Sequence, residues 1–158
     1  MKPRVYLETT IVSYLAGRSS RNVVVAGHQA VTRRWWERRS RFDLFVSEAV
    51  VEEAQRGDVA LAARRAAHLV GIPALDLSED VYELARTLVA KHAVPEKARI
   101  DALHIAVSAV NRMHYLLTWN FTHIANAALR GKIDEACWAA GWAAPAICTP
   151  EELMEDAS

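Results

Sequence analysis

Short apolar runs alternate with longer stretches of helical periodicity along this chain. Val5-Tyr6-Leu7, bounded by Pro3 and by Thr9-Thr10, reads as a buried strand. A brief helix carrying Ile11, Val12, Tyr14 and Leu15 follows, ended by Gly17. After a polar loop, residues 23–39 repeat with helical period, placing Val24, His28, Val31 and Trp35 near one face. Residues 42–46 form a second apolar run, and Ser47 is placed to cap the helix bearing Glu52 and Glu53. Gly57-Asp58 breaks that helix and starts another, running through Leu61, Arg65 and Leu69 to Gly71. Residues 72–77 are extended, with Pro73 favouring an edge position.

Ser78 then caps a helix over 79–91, with Val81, Leu84, Ala85, Leu88 and Val89 on one face. Pro95 opens a turn, and 97–113 reads as a buried helix with Ile100, Leu103, Val107 and Val110 at helical spacing. Residues 115–118 are short and apolar, as an internal parallel strand should be. Helices are expected over 121–129 and 132–140, and a last strand over 146–148. Thr149-Pro150-Glu151-Glu152 has the form of a capping box opening a short acidic C-terminal helix. Strands separated by helices predict an α/β fold, a mainly parallel sheet with helices on both faces. No linker or repeat divides it, so residues 1–158 are expected to form a single domain.

Composition narrows the classes. Lysine plus arginine equals aspartate plus glutamate at 19 each, which argues against a histone-like binder but leaves local patches. Cys137 and Cys148 have no zinc or C-x-x-C spacing and read as buried thiols in a reducing compartment. No apolar run approaches membrane-spanning length, and the first residues lack a signal-peptide core. The expectation is a soluble cytoplasmic protein without membrane attachment.

The candidate chemistry lies in Glu8, Glu53, Asp101 and Asn120. Glu8 follows the first strand and Asn120 the strand over 115–118, so both emerge at the edge where open α/β sheets collect active groups. Asp101 sits in a first helical turn, where the dipole favours a charged carboxylate. Glu52 and Glu53 point about 100° apart, so at most one faces a shared centre. Oxygen donors gathered in this way suit a hard cation such as Mg2+ or Mn2+. Each residue also has a plainer use. Glu8 can be a strand-end charge, Asp101 can pair with Lys97, and Asn120 can cap the next helix. Thr9 and Thr118 are candidates to hold a carboxylate, and Thr10 or Ser13 to donate to a phosphate. His104 reads as a packed histidine, and His123 and Asn126 reach toward the site edge.

These segments resemble the PIN-domain family, the nuclease fold of VapC-type toxins in type II toxin–antitoxin systems. The likeness rests on Val5-Tyr6-Leu7-Glu8-Thr9-Thr10, on Glu53-Ala54 with Gly57, on Asp101-Ala102-Leu103-His104-Ile105-Ala106, and on Leu117-Thr118-Trp119-Asn120-Phe121. It implies a three-layer α/β/α sandwich and an Mg2+- or Mn2+-dependent ribonuclease. It also implies an RNA substrate, a cognate antitoxin that blocks the site, and a homodimer. Carried over by motif, Glu8, Glu53, Asp101 and Asn120 are the metal-binding and catalytic set. Two positions depart from the family pattern: Glu8 stands where Asp is usual, and Asn120 stands where Asp is common. Losing an anion at Asn120 weakens cation attraction, so the alternative is a catalytically weak or inactive PIN-like module that binds RNA or protein.

In such a site the cation would acidify water and offset charge on the phosphate, with Glu8 and Asp101 as direct ligands. Glu53 is either a ligand or the base that orients water. The run Arg33-Arg34-Trp35-Trp36-Glu37-Arg38-Arg39 suits single-stranded RNA, but it reads more readily as a solvated arginine face with Trp35 in the core or at an interface. A receiver-like phosphoryl-transfer domain would need paired acids after the first strand and a strand-end lysine. Neither is present, and no dinucleotide or P-loop glycine motif exists.

Overall fold

The computed structural model describes residues 1–154. Five strands make one all-parallel sheet: β1 (Arg4–Leu7), β2 (Asp43–Ser47), β3 (Ala74–Leu75), β4 (Tyr115–Leu117) and β5 (Ala146–Cys148), in the order β3-β2-β1-β4-β5. Among the described residues seven α-helices connect them: α1 (Thr9–Ala16), α2 (Val23–Glu37), α3 (Glu48–Ala54), α4 (Val59–Leu69), α5 (Glu79–Ala90), α6 (Arg99–Val110) and α7 (Ala127–Ala139). α1 packs against α2, α3 and α4, while α5 packs against α6 and α7. The result is an α/β/α sandwich, as the alternation of elements predicts.

β1 and β4 lie at the centre, and their residues read as buried strands do. Val5, Tyr6, Leu7, Leu116 and Leu117 are sealed from solvent, so helices must cover both sheet faces. Ile105, Leu84, Leu88, Ile11 and Trp35 fill the layers between sheet and helices. Each such side chain contributes about 1.5–3 kcal/mol by leaving water. β3 is a two-residue edge strand, shorter than the extended segment expected over 72–77, because Pro73 withholds an amide from the ladder.

Capping residues fall where the sequence places them. Ser47, Asp58 and Ser78 accept from the first-turn amides of α3, α4 and α5. Gly57, at φ +83°, turns the chain between α3 and α4 through the left-handed region that glycine enters without strain.

Four segments differ from the expectation. α2 buries Gln29, Thr32 and Trp35, whereas Val24 is exposed. Gln29 is drawn inward because its side chain bonds the Ser20 amide and the Arg18 carbonyl of the preceding loop. The helix expected from 97 begins as a short 3-10 turn, Glu96–Ala98, capped by Pro95, and becomes α-helical at Arg99. α6 is so deeply buried that Ala102, His104, Ile105, Ala106, Val107, Ser108 and Ala109 all leave solvent. Residues 121–125 form turns, and one helix, α7, replaces the two expected beyond 120, because Asn126 caps a new start. Thr149 and Glu152 do exchange capping-box bonds, the Thr149 amide to Glu152 Oε1 at 3.0 Å and the Glu152 amide to Thr149 Oγ1 at 3.4 Å. Residues 150–153 form a turn there, and the rest of the acidic C-terminal helix expected from sequence lies outside the described residues.

The sheet order places a switch point between β1 and β4. The chain leaves β1 toward β2 and leaves β4 toward β5, on opposite sides. The carboxyl ends of these two strands therefore flank a crevice.

Candidate functional site

Glu8 is the first residue beyond β1, in register with the end of β4: Leu7 pairs with Leu117, and the Glu8 amide donates to the Leu117 carbonyl at 3.0 Å. Its side chain is 4% exposed. A carboxylate so enclosed needs donors. The hydroxyls of Thr10 and Thr118 both donate to its Oε1, at 2.5 and 2.6 Å. Thr118 thus plays the holding part expected of it. Thr10 is committed to Glu8 and to the Trp119 amide, which donates to its Oγ1 at 2.9 Å, and so is not a free phosphate donor.

Of the adjacent α3 acids, Glu53 faces the crevice and Glu52 faces solvent, paired with Arg56 at 3.2 Å. Glu53 Oε1 accepts from the Thr9 hydroxyl at 2.6 Å and lies 2.7 Å from His104 Nε2. The other ring nitrogen of His104 is 2.7 Å from the Tyr6 hydroxyl, which is 2.7 Å from Ser47 Oγ. A buried chain Ser47–Tyr6–His104–Glu53–Thr9 thus runs from β2 across β1 to α6, α3 and α1. Burial works against the imidazolium of His104. The Glu53 hydrogen bond and the charges of Glu8, Glu53 and Asp101 outweigh it and raise its pKa. Burial also opposes charge on Glu53, but His104, Thr9 and Arg56 hold its pKa below the usual carboxylate value. With both ring nitrogens protonated, His104 donates to Glu53 and to Tyr6, and Tyr6 donates to Ser47. Burial pushes the Tyr6 phenol well up, so it remains a neutral donor.

Asp101, in the first turn of α6, reaches His123 Nδ1 with Oδ2 at 2.9 Å. No ion pair joins it to Lys97 among the described residues. Asn120 follows β4 by a short stretch, and its backbone amide donates to Thr118 Oγ1 at 2.9 Å. Its side-chain oxygen accepts from the backbone amides of Thr122 and His123, at 3.2 and 3.0 Å. That oxygen serves the turn, which is the plainer use of an asparagine at a helix approach. Asn126 likewise caps α7 and bonds the Thr122 carbonyl.

Three of the four sequence-predicted residues are linked in one chain of hydrogen bonds, while Glu53 joins Thr9 and His104 instead. Glu8 joins Thr118, Thr118 joins the Asn120 backbone, Asn120 holds the turn bearing His123, and His123 holds Asp101. Glu8, Glu53 and Asp101 each place one oxygen in a protein hydrogen bond, while the second oxygen accepts none among the described residues. None of these second oxygens is among the polar atoms sealed away without a partner. Among the described residues no group of three or more His, Cys, Asp or Glu side chains is placed to hold a metal ion.

Comparison of the chain with protein-family models, curated proteins and solved structures finds no match. No helix among the described residues is long and apolar enough to cross a membrane.

Sequence reasoning missed the part of Tyr6 and Ser47. A tyrosine inside a buried strand carries the signal, since its hydroxyl must find a partner there. His104 is packed and hydrogen-bonded as expected, yet it sits at the centre of the acids.

Proposed function

We propose that this chain is a PIN-like, Mg2+- or Mn2+-dependent ribonuclease that hydrolyses phosphodiester bonds of RNA. One observation carries the reading: at the carboxyl ends of the central strands Glu53 contacts the buried His104, whose pKa the charges of Glu8, Glu53 and Asp101 raise. Glu8 and Asp101 would hold the cation, with Glu53 beside them. Bound there, the cation supplies Lewis-acid charge that acidifies water and offsets charge on the phosphate.

The chain's own residues prepare that chemistry. Thr10 and Thr118 fix the Glu8 carboxylate through one oxygen and leave the other without a protein donor among the described residues. His123 orients Asp101 in the same way. Glu53 is locked by Thr9 and His104, and its lowered pKa makes it a weak proton acceptor. It is better suited to bind the cation or orient water than to serve as general base. The motif likeness extends the proposal to the toxin of a toxin–antitoxin pair, acting in the cytoplasm as a homodimer, with a cognate antitoxin covering the acids.

The test is cleavage of a labelled single-stranded RNA in manganese by the wild type and by Asp101→Ala. Cutting by the wild type alone supports the proposal; no cutting by the wild type in either metal defeats it. A second reading, an RNA- or protein-binding module without catalysis, draws on Asn120. Its amide oxygen is spent on the turn, and it adds no charge to the crevice. Equal RNA binding by both proteins without cleavage selects that reading.

A further inference from the structure

Helix α3 is held near both ends by one phenol oxygen. Ser47 caps the helix, its Oγ accepting from the Ala49 amide at 3.2 Å, and the same Oγ lies 2.7 Å from the Tyr6 hydroxyl. Toward the other end, Glu53 Oε1 lies 2.7 Å from His104 Nε2, and His104 Nδ1 lies 2.7 Å from that same hydroxyl. The bonds close a circuit: Tyr6 to Ser47, along α3 to Glu53, across to His104, and back to Tyr6. The helical rise from Ser47 to Glu53, about 9 Å, is the arm that the circuit braces.

Core packing does not call for this circuit. Tyr6, Ser47 and His104 are sealed from solvent. A phenylalanine at position 6 would fill nearly the same space and carry no hydroxyl to satisfy. α3 has only seven residues, and a helix so short takes its place from tertiary ties. Val50 ties it to the core. Apolar burial is non-directional, however, whereas hydrogen bonds fix the direction of the groups that make them. The bonds from His104 and Thr9 to Glu53 Oε1 therefore set how the carboxylate is turned, and the circuit sets where His104 stands.

We propose that Tyr6 and Ser47 are positioning residues for Glu53, acting through His104 and through α3. This rests on the ribonuclease reading and adds to its machinery two residues that never reach solvent. Glu8 is extended, two positions beyond Tyr6, so the two side chains leave the same face of the chain. The segment that delivers Glu8 to the crevice thus also carries the reference point for Glu53. The spacing of the two acids is registered by the central strand and not by the loops.

The experiment compares the wild type with Tyr6→Phe, Ser47→Ala and Ile133→Val. The last is a control that trims a buried residue of α7, outside the circuit. Two quantities are read: kcat and KM for a labelled single-stranded RNA in manganese, and amide hydrogen exchange in metal-free buffer. Tyr6→Phe should lower kcat by roughly tenfold or more with little change in KM. It should also speed exchange of the α3 amides by roughly tenfold relative to those of α7. Ser47→Ala opens the circuit from the other side, should repeat the fall in kcat, and stands in for Tyr6→Phe if that variant does not fold. Ile133→Val should lose stability and keep its kcat. A cleaving wild type matched in kcat by Tyr6→Phe and Ser47→Ala overturns the positioning role and leaves the ribonuclease reading intact. Exchange that rises evenly in α3 and α7 of Tyr6→Phe also overturns it, as does an equal fall of kcat in Ile133→Val. A wild type that cuts no RNA overturns the ribonuclease reading and the positioning role together.

Discussion

His104 Nε2 lies 2.7 Å from Glu53 Oε1, joining the one fully buried imidazole of the crevice to a carboxylate on a different helix. Each partner supports charge on the other, and the consequence for stability has a definite sign. His104 is raised from 6.5, so its contribution is complete below that value and fades as pH climbs through its folded-state pKa. Glu53 is lowered from 4.5, so its contribution is complete above that value and fades as pH falls through its folded-state pKa. In chelator-containing buffer the pair should therefore stabilise fully between pH 4.5 and 6.5. His104→Ala should cost about 3 kcal/mol within that window and flatten the alkaline limb. Urea unfolding across pH measures both.

Removing the Thr118 hydroxyl tests how the buried Glu8 is held. Thr118→Val keeps the shape but takes one donor from the carboxylate and the acceptor from the Asn120 amide. The loss should be about 2 kcal/mol, with Thr118→Ser close to wild type in the same denaturant titration.

Cation binding has a readout independent of cleavage. A ligand that binds only the folded chain raises its melting temperature, by about 2.7 kcal/mol of stability at a hundredfold excess over Kd. Calorimetry should find an upward shift with manganese in the wild type and none in Glu8→Gln or Asp101→Asn. An equal shift in all three proteins would place the ion elsewhere.

Asn120 separates two roles that one side chain combines. Asn120→Ala should destabilise by about 1 kcal/mol, because the Thr122 and His123 amides lose their acceptor. Asn120→Asp keeps that acceptor, adds an anion at the crevice, and should tighten manganese binding measured by titration calorimetry.

The two cysteines should be chemically quiet. Burial pushes the Cys137 thiol up to about 11, with Asp134 adding to it, and the Cys148 thiol up to about 12, with Glu152 adding and Arg130 opposing. Alkylation at pH 8 should be slow in the native protein and should become rapid on unfolding.

The parallel α/β order was legible because each buried strand is a short apolar run and several helices announce their caps. Ser47, Asp58 and Ser78 all act as the sequence implies. The acids were legible individually, since strand ends and first turns can be read locally. Their partners were less so. The Thr118 hydroxyl on Glu8 spans 110 positions, and Tyr6 on His104 spans 98, so no periodicity reports either contact. Residues 121–125 read as helical by composition, yet Asn120 and Asn126 each draw nearby amides into local turns and delay the helix. The face of α2 was placed in part: Trp35 and Val31 pack inward as expected, but Val24 is exposed and Gln29 buries polar atoms that a hydrophobic pattern assigns to water.

The pairing of β4 beside β1 has a consequence for synthesis. A ribosome releases Glu8, Thr10 and Glu53 early, but the second hydroxyl that steadies Glu8, that of Thr118, directly follows a strand made much later. Until that strand has been translated and has docked, the nascent polypeptide carries the acids as separate surface charges. Whatever these groups do together, a truncated product ending before Thr118 cannot do it, and the cell that makes the protein meets its chemistry only after the sheet has closed.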